Sequence, residues 1–522
     1  MTRPRLFSPS RFHVRTGLVL VLLTMSLAGL GYAQTCTPGT GSTVTLHPSD
    51  DVQSIVNSTV CGSTFIFAPG VYSNVTIFPI DETTNPIDGD TFKGMNSRTS
   101  TKAATLYGAT VVSNFTQQGA YWVGNVTTTT APASGSNYQC DSKHPGCLLP
   151  EDLFFDGNLY QRVTSESAVT AGTWYLNYTT GDAYLTDNPT GHKIEISTTH
   201  FAIYAANVAN VTIGNLIVEK YAVPGGYGAI SGVDPTGASS TPTFNWKVTN
   251  VEVGYCHGAG IQLGDHMTVS GSFLHNNGEY GLGGTGNNIT FNDNEVSFNN
   301  QAGFLPEVAA GVRFSDVVTV VAEKNNIHDN LAAGLADDIG SSDITYANNT
   351  LKNNLIAGIL HEIGGKASIY GNTSTNDGVN PFGTGYWEGA GISIANSENT
   401  RVYNNTLTND YNGILEQAKD RTDCAVACPL QNNAVYSNTI VQDQTVMPGT
   451  AAAGILVQNT YAEKSTVYTK AGNTFGINPT TKAAAPNTYT LTPSTGEFFI
   501  WLEGKAMNSV LTYAQWQAAG NN

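Results

Sequence analysis

The chain has 522 residues, of which 55 are glycine, and only 12% of its residues are charged. This composition is typical of an all-β protein with many short strands and turns, and it excludes a helical bundle. The net charge of -17 argues against nucleic acid or an anionic membrane surface as a partner.

An export signal is predicted at residues 1–33. A basic start is followed by the apolar stretch GLVLVLLTMSLAGLG and by a small-residue cleavage site near Ala33. The stretch is short for a membrane span, and no later segment is a better candidate. We therefore expect a secreted or periplasmic protein with no membrane span after signal removal. A retained N-terminal anchor is the alternative.

Seven cysteines fit an oxidising compartment. Two pairs flank short loops, and a third is placed to join the N-terminal end: Cys140 with Cys147, Cys424 with Cys428, and Cys36 with Cys61. Cys256 remains, and its apolar strand predicts a buried thiol. Spacing alone does not settle the connectivity, and the alternative, a zinc site, lacks two Cys-x-x-Cys pairs.

The predicted elements begin with a cap and the first coils of a solenoid at residues 34–104. The stretch DDVQSIVNSTVCGSTFIFAPG combines an amphipathic helical segment, a strand and a Pro-Gly turn, so a helix would cover the open end. Residues 105–200 contain hairpin patterns with Asp-Gly and Thr-Gly turns, such as EDLFFDGNLYQRV. We interpret them as a small inserted β-sandwich, with long loops as the alternative.

A repeat dominates residues 201–480. Asn326, Asn349 and Asn372 recur every 23 residues, and the tetrapeptides GAGI, AAGV, AAGL, IAGI and YNGI recur in phase. This pattern predicts an all-β fold, a right-handed parallel β-helix of about ten or more coils with an apolar core and a ladder of inward Asn. Residues 481–522 would form an extension whose last segment, LTYAQWQAAG, is either a short covering helix or a tail.

Two acidic residues fall at matching places of adjacent coils. The residue after each recurrent Gly must face the core, so the second and fourth residues after Gly face outward and the third faces inward. This counting places Asp338 and Glu362 outward, with Arg313 one coil before Asp338. Asp337 and His361 fall inward, where an Asp carboxylate and a His ring satisfy each other and support the acids. A bulge that exposes Asp337 for a direct catalytic role is the alternative.

The outward acids suit a retaining glycosidase. Neighbouring coils stack at about 4.8 Å, so Asp338 and Glu362 would lie about 5 Å apart. Like charges at this distance raise the pKa of one carboxyl, so one group can be a protonated acid while the other is an ionised nucleophile. Arg313 would help to keep Asp338 ionised. Taken singly, Asp338 could be a turn cap and Glu362 a solvated surface residue.

Longer coils would wall a cleft around this acid pair. Their aromatic residues are expected platforms for sugar rings, and their polar residues can bind hydroxyl groups. The predicted substrate-binding residues are Arg313, Glu307, Tyr386, Trp387, Glu416, Gln417 and Arg421. Trp387 could instead simply pack its loop onto the β-helix. No metal site is predicted.

The stretches AAGVRFSD, AAGLADDIGSSD, AGILHEIGGKA, GAGISIANS and NGILEQAKDR resemble secreted right-handed parallel β-helix proteins of the pectate-lyase-like superfamily. They are similar to a branch of β-helix glycoside hydrolases that includes a retaining β-xylosidase family, in which the helix has a small β-sandwich. The resemblance implies an Asp nucleophile at Asp338 and a Glu acid/base at Glu362. Ala336 stands where an aromatic residue is usual and Gly340 where a second acid often occurs, which bears on sugar specificity.

The first functional interpretation is therefore a secreted, monomeric glycoside hydrolase that acts on plant or microbial polysaccharide or oligosaccharide without a cofactor. The second is a polysaccharide lyase or uronate epimerase, which needs a basic residue and a cation for the uronate carboxylate; the acidic residues could then bind calcium. The third is a non-catalytic carbohydrate-binding or surface β-helix protein.

Overall fold

Short strands recur along the chain because apolar and polar residues alternate between turns, many of which hold Asn or Asp in the left-handed region. The computed structural model describes residues 36–79, 87–128, 139–236, 240–378, 389–418, 430–446, 453–459, 472–503, 506–518 and 521. The predicted signal peptide lies outside these ranges.

Two long parallel sheets, sheet A and sheet B, form two sides of the molecule. The strands of sheet A are Thr43–Leu46, Thr64–Phe67, Thr91–Gly94, Thr212–Gly214, Lys247–Thr249, Thr268–Ser270, Ile289–Asn292, Val318–Glu323, Ser342–Ala347, Ala367–Tyr370, Thr400–Tyr403, Ala434–Tyr436 and Thr474–Phe475. The strands of sheet B are Gly70–Ser73, Ala104–Tyr107, Leu216–Glu219, Glu252–Gly254, Phe273–His275, Glu295–Ser297, Asn326–His328, Thr350–Lys352, Thr373–Thr375, Thr406–Thr408, Thr439–Asp443 and Thr488–Thr492.

Sheet C is the third side and contains the recurrent glycine tetrapeptides. Its strands are Ile203–Tyr204, Gly228–Ser231, Ala259–Gln262, Tyr280–Gly284, Ala310–Ser315, Ala333–Asp338, Ala357–Glu362, Ala390–Ala395, Ile414–Ala418, Ile455–Asn459, Glu497–Glu503 and Ala506–Thr512. Each coil adds one strand to each sheet, and the inward Val, Ile and Leu of all three sheets form one core. The predicted parallel β-helix of ten or more coils is confirmed.

The predicted insertion is an eight-stranded sheet with a core of its own. Its strands are Ala109–Val111, Thr116–Gln118, Tyr121–Asn125, Leu153–Phe155, Asn158–Arg162, Thr173–Asn177, Asp182–Leu185 and Ile194–Ser197, and a 3-10 turn spans Glu166–Ala168. Asn158–Arg162 pairs antiparallel with one half of the sheet and parallel with the other. Both halves bury residues in the same core, such as Leu153 and Trp174, so the sheet folds on itself as a small sandwich.

A helix closes each end of the solenoid. In the helix Val52–Ser58, which the Asp51 side chain caps, Val52 and Val56 pack on the core of the first coils. At the other end, the helix Tyr513–Ala518 buries Trp516 against Phe475 and Phe499. Of the two interpretations given for LTYAQWQAAG, the structure supports the short covering helix.

Stacked Asn side chains link the coils along the turn between sheets A and B. Asn349 shows the pattern: its backbone N–H and its Nδ2 both donate to Asn372 Oδ1 at 2.9 Å, and Nδ2 also donates to Ala322 O at 3.0 Å. The members are Asn294, Asn325, Asn349, Asn372, Asn405, Asn438 and Asn487. The prediction was wrong at one place: Asn325 belongs to the ladder, whereas Asn326 begins a strand and is exposed.

A second ladder, which we did not predict, lies between sheets B and C. It consists of Asn277, Asn299, Asn330, Asn354, Asp377 and Asp410. All of these residues are buried, and two carboxyl groups occupy the last two places.

Two of the predicted disulfides are present, Cys36–Cys61 and Cys140–Cys147. Cys256 is a buried free thiol, as predicted. The third predicted pair, Cys424 and Cys428, lies outside the described residues. Within the ranges given above, no helix combines the length and the apolar character that a membrane crossing requires.

Candidate active site

The strands of sheet C align the predicted acids. Ser315 pairs with Asp338, and on the next coil Asp337 pairs with His361. The pairing ends at Asp337 and His361, and the next residue of each strand is an acid, Asp338 on one coil and Glu362 on the adjacent coil. The register predicted from the recurrent glycines is therefore the one that the sheet adopts.

Both acids are the last residues of their strands. Asp338 ends the strand Ala333–Asp338 and Glu362 ends the strand Ala357–Glu362. The residue that follows each acid, Ile339 at φ 55° and Ile363 at φ 50°, is in the left-handed region, where the chain bends away from the sheet. A β-branched residue is strained in this region, and such strain often occurs at functional sites.

Arg313 forms an ion pair with Asp338 through Nη2 and Oδ2. Burial raises the pKa of the Asp338 carboxyl, and the positive charge of Arg313 opposes that rise. The second oxygen of the carboxyl, Oδ1, is buried and has no hydrogen-bond partner among the residues that the structure describes. Asp338 thus has one oxygen held by a cation, and the Ser315 hydroxyl also acts to lower its pKa.

The charge of Arg313 interacts with both acids. Burial acts to lower the pKa of Arg313, but the nearby Asp338, Tyr280 and Glu362 raise it. The guanidinium therefore remains charged although its side chain is only 12% exposed. One cation placed beside two carboxyl groups favours the state in which one of them is ionised.

Asp337 and His361 form the predicted support pair beneath the acids. Asp337 Oδ2 is 2.7 Å from His361 Nδ1, its Oδ1 accepts from Tyr346 Oη at 2.9 Å, and His361 Nε2 donates to Gly365 O at 3.0 Å. Burial acts to lower the pKa of His361, but Asp337 raises it. The alternative of a bulge that exposes Asp337 is wrong, because this carboxyl is fully buried and both of its oxygens have partners.

The floor beside the acids is apolar, and it includes a residue that we did not predict. Ala336 and Leu360 lie on the outer face of the two acid-bearing strands and belong to a cluster with Tyr280. The Tyr280 ring covers Gly283, where an added Cβ would meet ring atoms at 2.7 Å, and Gly283 pairs with Arg313. The sequence signal was EYGL, in which Tyr replaces the Ala of the repeat.

The inserted sandwich forms one wall of the groove that contains the two acids. The strand-like bridge between Cys140 and Phe304, together with the hydrogen bond from Asp141 N to Gly303 O at 2.9 Å, holds the disulfide loop against the chain before Arg313. Leu360, from the groove floor, packs against the same cluster as Cys147 and Phe304. The inserted sandwich thus reaches the edge of the groove.

The structure places the other predicted binding residues as follows. Glu416 pairs with Ile394 in the inward row and is fully buried, so the prediction that it lines the outer groove is wrong. Gln417 pairs with Ala395 in the outward row, but only 1% of its surface is exposed. Glu307 belongs to the 3-10 helix Pro306–Val308. Tyr386, Trp387 and Arg421 lie outside the described residues.

A family model described as "Right handed beta helix region" matches residues 236–415. The chain is a right-handed parallel β-helix protein. The predicted right-handed parallel β-helix is thereby confirmed as the fold. No curated protein matches the chain.

The solved structures to which the chain is similar are distant from it in sequence. The structure of XylC with xylose is 11% identical, with a TM-score of 0.59, and the match covers 86% of each chain. A structure described as a glycoside hydrolase is 10% identical over 91% of this chain and 100% of that chain, with a TM-score of 0.34. The A-module of mannuronan C-5 epimerase AlgE4 from Azotobacter vinelandii is 11% identical over 90% of this chain and 98% of that chain, with a TM-score of 0.40.

Within the described residues, no group of three or more His, Cys, Asp or Glu side chains is arranged to hold a metal ion. The chemistry that the site offers is that of two carboxyl groups and one guanidinium.

Proposed function

We propose that this protein is a secreted or periplasmic glycoside hydrolase that retains the configuration of the anomeric carbon. The proposal depends on the register of sheet C, in which Asp337 pairs with His361 and the residues that follow, Asp338 and Glu362, end adjacent strands, with Arg313 against Asp338. Adjacent coils are about 4.8 Å apart, and retaining glycosidases hold their two carboxyl groups about 5 Å apart.

In the first step, the Asp338 carboxylate attacks the anomeric carbon, and Glu362 gives its proton to the departing glycosidic oxygen. The bond between the sugar and the leaving group breaks, and a glycosyl ester forms on Asp338. Arg313 favours the ionised carboxylate that this attack requires, because burial alone would raise the pKa of Asp338.

In the second step, Glu362 takes a proton from a water molecule whose oxygen attacks the same carbon. The ester bond breaks, the sugar leaves with its original configuration, and Asp338 is again a carboxylate. Glu362 ends the cycle protonated, as it began. Asp337 and His361 take no part in proton transfer to the substrate, because they are fully buried; they hold the two strands in register from below.

The fold supports this class of function, since XylC, with which the chain shares its architecture over most of its length, is described with xylose bound. The ion pair also argues against the lyase or epimerase interpretation. Those reactions need a cation that is available to the uronate carboxylate, whereas Arg313 is already paired with Asp338.

The test is a panel of aryl glycosides and short oligosaccharides, with the anomeric configuration of the first product followed by NMR. We expect retention. Asp338→Asn should abolish turnover, and Glu362→Gln should lower it about 10²- to 10⁴-fold on substrates with poor leaving groups and much less on activated aryl glycosides. Added azide should rescue a Glu362→Ala variant and yield a glycosyl azide of retained configuration.

The matched control is Asp343→Asn, an exposed acid that lies shortly after Asp338 and pairs with Lys366. It should leave turnover unchanged. Inversion of the product, or an unsaturated ultraviolet-absorbing product from a uronate polymer, would refute the proposal. Equal activity of the Asp338→Asn variant and the parent protein would do the same.

A further inference from the structure

A cavity lies between the inserted sandwich and the β-helix, apart from the acid pair. Its volume is about 200 Å³. The insertion contributes His144, Gly146, Cys147, Asp152, Leu159, Tyr160, Gln161 and Arg162, and the β-helix contributes His257, Gln301 and Ala302. The space is on the scale of one sugar ring and is partly open to solvent.

The two cations of this cavity are already neutralised. His257 Nδ1 is 3.0 Å from Asp152 Oδ1, and His257 Nε2 donates to Cys147 O at 2.7 Å. Arg162 donates from Nη1 to Glu151 O at 2.8 Å and forms an ion pair with Glu151 Oε2 at 3.3 Å, and its guanidinium lies 4.5 Å above the Trp174 ring. The remaining nitrogens of Arg162 are buried and do not reach the cavity surface. An anionic ligand would therefore find no available cation.

The atoms that remain available are mainly acceptors. Gln301 uses Nε2 to bind Phe298 O at 2.6 Å, and Gln161 uses Nε2 to bind Lys143 O, so the Oε1 atom of each makes no hydrogen bond within the described residues. Asp152 binds His257 through Oδ1 and keeps Oδ2. His144 binds Asp141 through Nδ1 at 2.8 Å and keeps Nε2. Several acceptors around a small space match a ligand with several O–H donors.

We propose that this cavity binds one neutral sugar residue, as a second carbohydrate site separate from the acid pair. The hydroxyl groups of the sugar would donate to Gln161 Oε1, Gln301 Oε1 and Asp152 Oδ2. The rings and methyl groups of Tyr160 and Leu159 offer apolar surface for a sugar face. Since Gln301 and Ala302 precede the segment that leads to Arg313, a sugar bound here would hold a longer chain beside the groove.

The experiment is a titration of the full-length protein with xylose, glucose, galactose and arabinose, in which saturation-transfer NMR measures the binding. Monosaccharides are chosen because no glycosidic bond is present to be cleaved. We expect saturable binding of at least one of them. The double variant Gln161→Leu and Gln301→Leu should bind about fivefold more weakly or worse, because two hydrogen bonds are lost.

The matched control is Gln118→Leu, which changes an exposed glutamine on another strand of the insertion and should bind like the parent. Asp338→Asn should also leave the binding unchanged, so that failure of this site is distinguishable from failure of the proposed hydrolase. If the double variant does not keep the melting temperature of the parent, Ala302→Val, which narrows the cavity, replaces it. No saturable binding, or binding that depends on Asp338 but not on the glutamines, would overturn the proposal.

Discussion

Two pairs of carboxyl groups are stacked on successive coils, and they differ in what surrounds them. Asp338 and Glu362 lie on the outer face of sheet C beside Arg313. Asp377 and Asp410 lie inside, in the last two places of the second ladder, where Asp377 N donates to Asp410 Oδ1 at 2.8 Å. The repeat brings acids together in both regions, so coil spacing alone does not make a catalytic pair.

The inner pair has a hydroxyl group in place of a cation. Ser374 Oγ is 2.6 Å from Asp377 Oδ2 and 2.9 Å from Asp410 Oδ1, but one hydroxyl proton serves only one of them. Burial raises the pKa of Asp377 to about 7 and raises that of Asp410 as well. At least one inner carboxyl is therefore protonated, whereas Arg313 keeps the outer pair partly ionised. The difference shows that a counter-charge and an open face, added to register, distinguish a reactive pair from a structural one.

The largest effect is expected from breaking the support beneath the outer pair. Asp337→Ala leaves the buried His361 without its carboxylate, and the loss of one partner of a buried pair lowers the free energy of unfolding by about 3–5 kcal/mol. Urea unfolding would measure it. The control is Asp343→Ala, which removes an exposed ion pair with Lys366 and should lower the free energy of unfolding by less than about 1 kcal/mol.

The next effect follows from removing the counter-charge of the outer pair. In Arg313→Met the pKa of Asp338, which burial already raises, should rise further because the opposing positive charge is gone. The acid limb of the profile of kcat/KM against pH should move to higher pH, and activity below it should fall about 10²-fold. Arg401→Met, on sheet A, should leave the profile unchanged. An acid limb that stays in place in Arg313→Met would show that Asp338 is not the titrating group.

A smaller effect, on the pH dependence of stability, is expected when one carboxyl group of the inner pair is replaced by the amide that the other ladder positions have. Because the folded-state pKa of Asp377 is raised to about 7, the unfolded chain loses this proton first as the pH rises, so stability falls between about pH 4 and pH 7. Asp377→Asn should remove about half of that loss, because the Asp410 carboxyl remains, and should raise the free energy of unfolding at pH 8 by about 2 kcal/mol, with little change at pH 4. Thermal melting at the two pH values measures the difference.

The control for this prediction is Asp293→Asn, at an exposed turn, which should have the same small effect at both pH values. A decrease in stability of Asp377→Asn at pH 8 would mean that the inner pair is ionised. In that case the contrast with the outer pair would disappear.

The smallest effect concerns the turn after Asp338. Ile339 is 58% exposed and has φ 55°, so Ile339→Asn gives up little packing and relieves backbone strain, which should raise the free energy of unfolding by about 1 kcal/mol. Asp316 has the same place one coil earlier, at φ 53°, and Asp316→Ile should have the opposite effect of similar size. Denaturant titration of both variants would reveal whether the strain is real.

The register of sheet C could be predicted because strand residues alternate with a period of two from a recurrent glycine. The same rule places Glu416 inward, because it is the third residue after Gly413. The prediction that Glu416 binds substrate was wrong because it treated this residue as part of a loop and did not apply the rule. The sequence does not reveal which of the adjacent residues Asn325 and Asn326 belongs to the ladder. Both suit a turn, and only the packing decides which one faces inward.

The second ladder had a sequence signal that we did not use, since Asn330 and Asn354 each stand four residues before a recurrent glycine. Asp377 and Asp410 were harder to recognise, because an Asp near a turn is ordinarily solvated. Both are buried beside Ser374, which binds them and is a polar residue in an otherwise apolar inward row of sheet B. The cavity beside the insertion forms where the insertion packs on the β-helix, and a local sequence pattern does not predict that packing.

The last strand of sheet C, Ala506–Thr512, runs opposite to its neighbour, and Trp516 covers the coil beneath it. A parallel stack grows when strands of the same direction add to an uncovered apolar end. This end of the solenoid has a reversed last strand and is covered by Trp516, so it does not offer such a surface. The helix Val52–Ser58 has the same effect at the other end. A molecule built from the repeating geometry of a fibril is thereby expected to remain a discrete particle in concentrated solution.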